Sequence, residues 1–449
     1  MMTLSAAAVF ADGRTSGGDP VFTGVSTDTR TLRPGDLFVA LRGERFDGHA
    51  FLEMAKTAGA VAAMVDRLHQ GTFPIPVAVV DDTRLALGRV AAGWRKRFSP
   101  LLIAVAGSNG KTTVKEMLAS ILRAYAGEGA VLSTSGNLNN DIGLPLTLLR
   151  LREQHRCCAI ELGMNHKGEI DYLARIARPL VALVNNAQRE HLEFMNSVEE
   201  VAAENASVYA ALPPDGTAVV NADDAQAPFF RRAAGARRVV DFGLEQGAVT
   251  GGYTLKNLSS DILVRTPEGE TPVTLAIPGL HNVRNALAAA ACAYAAGIGL
   301  KSIGEGLSAF RPYTGRLQVK SAKNGATVID DSYNANPDSV RAAIDVLASC
   351  LRPTALVLGD MGEVGSHGVE FHREVGSYAY SQKIDRLYAL GDATRETVRA
   401  FGTGARHFES VDELVKSVEG KSILVKGSRF MRMERVVAAL TGNANLGGH

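Results

Sequence analysis

The stretch from Leu101 to Lys115, LLIAVAGSNGKTTVK, constrains the fold more tightly than any other part of the chain. An apolar run from Leu101 to Ala106 enters a turn containing Gly107 and Gly110. Lys111, Thr112 and Thr113 then open a segment with helical spacing, predicted over Thr113 to Ala124. A strand, a glycine turn and a helix in that order make a cradle for phosphate. Backbone N–H groups point at the anion, the helix N-terminus adds positive potential, and the lysine adds a full charge. The full pattern G-x-x-x-x-G-K-S/T is not met, because Val105 stands six positions before Lys111. The loop is shorter and takes its first glycine at Gly107. Gly107, Ser108, Asn109, Gly110, Lys111, Thr112 and Thr113 are the expected nucleotide contacts. The loop implies a nucleotide and a parallel sheet; it names no reaction.

With 449 residues the chain exceeds one typical core, and length suggests about three domains. A formal net charge of +1 supplies no global basic field for nucleic acid. The N-terminus lacks the basic flank and long apolar core of a signal peptide. The longest apolar stretch, Ala286 to Leu300, is Ala-rich and falls short of the roughly 20 residues of a membrane span, so it reads as a buried helix. Cys157, Cys158, Cys292 and Cys350 show no C-x-x-C spacing, which points to reduced thiols in a cytoplasm.

The expected fold class is α/β in three domains. A small α/β N-terminal domain covers residues 1–97, a central P-loop ATPase domain with a mostly parallel sheet covers 98–311, and a Rossmann-like doubly wound C-terminal domain covers 312–449. In the first, strands are predicted at 36–41, 61–65 and 77–80. Ser26, Asp28 and Arg30 suit a phosphate- or sugar-bearing ligand, or else satisfy turn backbone. A polar glycine loop from Arg42 ends in Asp47, Gly48 and His49.

In the second, the loop Ser135 to Pro145 is dense in amides, and Asn137, Asn139 and Asn140 are placed for ligand binding. The strand Cys157 to Glu161 ends in a carboxylate where such groups commonly face Mg²⁺; a helix cap is the alternative. The strand Val181 to Val184 runs into NNAQREHLE, placing His191 after a strand end as a metal or γ-phosphate neighbour, or as a structural histidine. A helix is predicted over Val198 to Leu212, and a hairpin turn at Pro267 to Glu270. Asn282 either caps the Ala-rich helix or suits an adenine edge. Residues 310–315, FRPYTG, read as a hinge, and a second hinge is expected near 98. In the third, strands are predicted at 326–330, 355–358, 386–390 and 423–425. Three of them end in a glycine and a polar residue: Gly359-Asp360, Gly391-Asp392 and Gly427-Ser428.

AGSNGKTT, GNLNNDIGLPLTLL, AIELGMNHKGEI, NNAQREHLE, PGLHNVRNALAAA, TGR, DDSYNANPDSV, LGDMGEVG and LVKGSR follow one another across nearly the whole chain. On these motifs the chain resembles the Mur ligase family. The resemblance implies an ATP-dependent amide ligase of peptidoglycan precursor assembly, working with ATP and Mg²⁺. It would join D-alanyl-D-alanine to UDP-N-acetylmuramoyl-tripeptide through an acyl phosphate. DSYNANP argues against a sister ligase adding one amino acid and against a folate ligase; a nucleotide-driven switch is the rival from outside the enzymes. The implied partners are small molecules, with no nucleic acid and no membrane span, for a monomer in the cytoplasm.

The resemblance further implies a catalytic set of Lys111, Glu161 and His191. Lys111 would hold the β,γ-phosphates, Thr112 the first Mg²⁺, and Glu161 and His191 would flank the second. Asn282 would read adenine, and Arg316 and Asp331 would contact nucleotide. Ser26, Asp28, Arg30 and the loop through Asp47, Gly48 and His49 would serve the UDP-sugar. Asn137, Asn139 and Asn140 would lie towards the peptide-bearing substrate, with Tyr333, Asn334 and Asn336 facing the dipeptide. One position departs from the family. A lysine, carbamylated to bridge the second metal, usually stands where this chain has Asn205; either Glu204 next door compensates in part, or the second metal is held more weakly.

Overall fold

The computed structural model describes residues 1–442 apart from Arg45, Gln70 and His191. Its first unit is a five-stranded sheet of β1 (Arg14–Ser16), β2 (Gly24–Ser26), β3 (Asp36–Val39), β4 (Ala62–Asp66) and β5 (Val77–Val80). The order is β1-β5-β4-β3-β2, parallel except for β1 against β5. The Asp82 carboxylate accepts the first free N–H groups of α1 (Thr83–Arg95), fixing where that helix begins.

The middle unit holds a six-stranded, wholly parallel sheet: β6 (Leu101–Ala106), β7 (Val131–Ser133), β8 (Cys157–Glu161), β9 (Val181–Val184), β10 (Thr217–Asn221) and β11 (Arg238–Phe242), in the order β11-β10-β9-β6-β8-β7. The strands are apolar along their length because helices cover both faces. These include α2 (Lys111–Ala126), α3 (Gly143–Leu148), α4 (Glu169–Ala177) and α5 (Val198–Ala206). The α-helix predicted to run on to Leu212 stops at Ala206 and tightens into a 3₁₀ turn, Ser207–Ala211. There the Ser207 hydroxyl donates to the Glu204 carbonyl (2.6 Å) and the Tyr209 hydroxyl to Val219 (2.8 Å), anchoring the tighter turn. A three-stranded antiparallel sheet, β12 (Thr250–Leu255), β13 (Ser260–Thr266) and β14 (Gly269–Leu275), turns at the expected Pro267 hairpin. Between it and the large sheet lies α6 (Leu280–Ala295), whose small side chains let it be buried on nearly every side.

The third unit is a six-stranded sheet of β15 (Gln318–Ser321), β16 (Thr327–Asp331), β17 (Thr354–Gly359), β18 (Arg386–Leu390), β19 (Ala405–Phe408) and β20 (Ser422–Lys426). Its order is β15-β16-β20-β17-β18-β19, parallel except for β15. Among its helices are α7 (Pro337–Ala348) and α8 (Gly368–Ser381). β15 and β19 went unread in the sequence. Both are short edges with half-exposed polar residues, so they lack the apolar run that marks a central strand.

Alternation along β6 divides the core. Leu102, Ala104 and Ala106 join a cluster reaching Leu87, Val90 and Trp94 of the first unit, while Ile103 and Val105 join one reaching Val340 and Leu347 of the third. The joint near residue 98 is consequently no free hinge. The Trp94 indole N–H donates to Leu151 (3.1 Å), and the Arg95 guanidinium donates to Ala177 (3.0 Å) and Phe98 (2.7 Å). Residues 310–313, by contrast, carry no regular structure.

Candidate active site

β6 lies between β8 and β9, so successive connections leave it in opposite directions and open a crevice at its carboxyl end. The glycine loop fills that crevice. Gly107 has φ 126° and Gly110 φ 82°. A Cβ at Gly110 would fall 2.4 Å from the Asn285 amide oxygen, so no larger residue fits. Side-chain amides brace the loop from outside. The Gly107 N–H donates to Asn205 Oδ1 (2.8 Å), the Asn109 N–H to Asn186 Oδ1 (2.8 Å), and Asn185 Nδ2 to the Asn109 carbonyl (2.8 Å). Lys111 opens α2; its Nζ donates to the Ser108 carbonyl (2.8 Å) and pairs with Glu190 (3.2 Å).

Thr112 is the pivot of the site. Its hydroxyl donates to Glu161 Oε1 (3.2 Å), and Arg316 Nη2 donates to it (3.4 Å). Asn139 Nδ2 donates to the same Glu161 oxygen (2.7 Å). On either side of this hydroxyl lies a buried atom with no hydrogen-bond partner among the described residues: Glu161 Oε2 and Arg316 Nε. An unpaired buried carboxylate oxygen asks for a cation, and an unpaired guanidinium N–H asks for an anion. The helix-cap alternative for Glu161 is not what its side chain does. Among the described residues no three carboxylate, imidazole or thiolate groups converge as a ready metal cage. His191 lies outside the described residues.

A cleft of about 630 Å³ runs from this point, lined on the middle unit by Asn137, Asn139 and Asn140 and on the third by Tyr333, Asn334 and Asn336. Asn140 Oδ1 accepts the N–H groups of Ile142 and Gly143, so it shapes the start of α3 as well. Asn336 caps α7 by accepting the Ser339 N–H (2.8 Å), while its Nδ2 reaches Asn109 Oδ1 across the two units (2.9 Å). The Tyr333 ring lies under the Arg316 guanidinium, 4.2 Å to its centroid. Of the three glycine steps in the third sheet, Lys426-Gly427-Ser428 alone reaches the cleft among the described residues. Asp360 instead accepts the Thr394 N–H (2.9 Å), and Asp392 is fully exposed.

Behind the glycine loop a second cavity, about 360 Å³, separates the middle and third units; Thr113, His281, Asn282, Arg284 and Asp331 line it. Asn282 does not cap α6, whose N-cap is Gly279. Its Nδ2 donates to Pro278 (2.7 Å) and its Oδ1 accepts from Asn285 (3.1 Å). Burial, with Lys426 and Arg284 nearby, pushes the His281 imidazole down to about 4 and keeps it neutral. Asp331 is held by Lys426 Nζ (2.6 Å) and the Leu317 N–H (3.2 Å). Burial lowers the Lys426 ammonium, with Asp331 pulling the other way.

In the first unit Ser26 ends β2, and Asp28 accepts from the Arg30 backbone and guanidinium, which holds its carboxyl below the usual range. Ser26 accepts the Asp28 N–H (3.2 Å), so the turn role of both residues is realised. Asp47, Gly48 and His49 stand at the carboxyl ends of neighbouring strands. His49 Nδ1 faces Asp47 (2.5 Å), its Nε2 accepts the Asp66 N–H (3.0 Å), and Arg42 bonds both Asp66 and Asp47.

Glu204 does not compensate at the metal site. Its oxygens accept the Gly168 and Ile170 N–H groups (both 2.8 Å), so it serves the start of α4. Asn205, 1% exposed, instead braces Gly107 and donates to Val201 (3.0 Å). The sequence passed over Asn185, Gln188, Glu190, Asn285 and Lys426. NNAQREH after a strand end was the visible signal for the first three, and PGLHNVRNALAAA and LVKGSR held Asn285 and Lys426.

Three family models match in succession: the Mur ligase family catalytic domain over residues 21–95, the Mur ligase middle domain over 105–293, and the Mur ligase glutamate ligase domain over 315–429. A relative from Escherichia coli named UDP-N-acetylmuramoyl-tripeptide--D-alanyl-D-alanine ligase is 40% identical, covering 98% of this chain and 99% of its own length. One of the same name from Bacillus subtilis is 34% identical over 94% and 93%. A crystal structure of MurF from Acinetobacter baumannii superimposes with TM-score 0.91 at 35% identity, covering 98% and 99%. One of MurF ligase from Thermotoga maritima in complex with ADP gives 0.81 at 25%, covering 94% and 98%. The chain belongs to the Mur ligase family, among its UDP-N-acetylmuramoyl-tripeptide--D-alanyl-D-alanine ligases.

Proposed function

We propose that this protein joins D-alanyl-D-alanine to UDP-N-acetylmuramoyl-tripeptide at the expense of ATP, acting as a cytoplasmic monomer. A carboxylate is a poor electrophile until one of its oxygens is turned into a phosphate leaving group. ATP phosphorylates the tripeptide's terminal carboxylate, the dipeptide amine attacks that acyl phosphate, and phosphate departs. Bringing carboxylate and γ-phosphate together sets two anions side by side, so the site must supply positive charge. Lys111 supplies one charge and Arg316 another. Glu161 and Thr112 offer oxygen donors of the kind Mg²⁺ takes alongside phosphate, and the unpaired Glu161 Oε2 carries this reading. Bound there, Mg²⁺ would offset the charge on the transferring phosphate.

The 360 Å³ cavity takes the adenosine, with Asn282 and Asp331 at its wall. The first unit takes the UDP-sugar through Ser26, Asp28, Arg30 and the loop ending in His49, and Tyr333, Asn334 and Asn336 face the dipeptide. The location is supported by the four cysteines, all of them free thiols and buried. Phosphate release from ATP is the test. It should require UDP-sugar tripeptide and D-alanyl-D-alanine together, whereas equal release without the dipeptide would favour a nucleotide-driven switch.

A further inference from the structure

Lys111 meets a carboxylate to which the ligation step above gives no task. Glu190 follows β9 in the loop NNAQREHLE, and its side chain is only 10% exposed. Both of its oxygens lie within reach of Lys111 Nζ, at 3.2 and 3.3 Å. The segment carrying it is stitched to the glycine loop. The Gln188 N–H donates to Ser108 Oγ (3.0 Å), and Asn109 Nδ2 donates to Gln188 Oε1 (2.6 Å). Next to it, Arg189 is tied to Asp338 of α7 through its backbone N–H (3.1 Å) and its guanidinium (2.6 Å). Glu190 is thus a positioned group, and it lines the 630 Å³ cleft together with Thr112 and Glu161.

One ammonium cannot serve two anions in full. When Lys111 turns to the β,γ-phosphates, a positive charge leaves the side of Glu190 as several negative ones arrive. A largely buried carboxylate beside phosphate calls for a cation in that state, and Mg²⁺ takes one or two carboxylates along with phosphate oxygens. Glu161, 2% exposed and with Oε2 unpartnered, offers one of them. The side chains next along are already committed. Glu204 accepts from Gly168 and Ile170, while Asn205 is uncharged and engaged with Gly107 and Val201. Glu190 is the carboxylate that loading the loop sets free to act.

We propose that Glu190 joins Glu161 in holding a divalent cation once nucleotide is bound, and that Lys111 caps Glu190 before nucleotide arrives. This rests on the nucleotide-binding part of the ligase reading and needs no turnover to test. Mn²⁺ is titrated into protein saturated with an ATP analogue carrying a methylene group between its β- and γ-phosphorus atoms, with free ion read by electron paramagnetic resonance. Glu190→Gln should weaken Mn²⁺ binding by about 10-fold or more. In EDTA the same variant should bind the analogue at least as tightly as the parent, because the amide no longer holds Lys111 away from phosphate. Without nucleotide, Lys111→Ala should bind Mn²⁺ more tightly than the parent, and adding Glu190→Gln should remove that gain. Unchanged Mn²⁺ affinity in Glu190→Gln would overturn the proposal. So would equal losses of Mn²⁺ and of metal-free analogue, the mark of a carboxylate that only shapes the loop, or a Lys111→Ala protein with no gain. The ligase reading would survive those results if phosphate release still required the dipeptide; a parent that binds no analogue would overturn that reading instead.

Discussion

Asn205 shows how much a single amide can carry. Its carbonyl oxygen is the acceptor for the buried Gly107 N–H, and its amino group is spent on Val201, so the side chain fixes the loop's first turn rather than a metal. Asn205→Ala leaves that N–H unsatisfied at a cost of about 1–3 kcal/mol. Urea denaturation should register the loss, and nucleotide titration should show weaker ATP binding. Unchanged stability and affinity would mean the loop is braced elsewhere. Legibility at this scale followed chemistry. Lys111, Thr112 and Glu161 announce themselves because a glycine loop and a strand-end carboxylate are local patterns. Asn185, Asn205 and Asn285 do not, because an amide is equally at home in a turn, and only the packed sheet shows which backbone group each one meets.

Between elements, the third unit is latched to the middle one by Arg189. Its guanidinium donates to Asp338 at the start of α7 (2.6 Å) and to Glu374 on α8 (2.7 Å), and it lies over the Phe371 ring, 5.1 Å to its centroid. Arg341 adds a second bond to Glu374 (2.7 Å). These bonds hold the Glu374 carboxyl down to about 2. A carboxyl whose pKa is depressed on folding stabilises above its ordinary value and loses that contribution as pH falls through the depressed one. The latch is therefore at full strength above about pH 4.5 and weakens towards about 2. Arg189→Ala should cost about 1.5–3 kcal/mol and increase the radius of gyration seen by X-ray scattering at neutral pH. The parent should expand only in acid; a variant as compact as the parent at neutral pH would show that apolar packing alone holds the unit. The sequence placed the central strands of the third unit but assigned no range to α7 or α8, which carry Asp338 and Glu374. It could not pair Arg189 with Asp338 and Glu374, which lie 149 and 185 residues away.

Across the whole molecule, β6 divides two cores that tie the middle unit to a neighbour on each side, but the two joints differ. The first is packed around Trp94, the single tryptophan in the chain, and the second passes through irregular backbone at 310–313. Adding nucleotide and both substrates should compact the molecule in scattering without moving the Trp94 emission maximum. A spectral shift would show that the first joint moves as well. Three units were readable from length, motif order and strand-end chemistry; which joint is stiff was not, because stiffness comes from contacts such as Trp94 with Leu151 that no local pattern announces. The central claim is that carboxylate oxygen leaves as phosphate at the Lys111 loop. A tripeptide labelled with ¹⁸O in its terminal carboxylate tests it directly. The account predicts one labelled oxygen in the phosphate released with each amide formed; amide formation with unlabelled phosphate would contradict it.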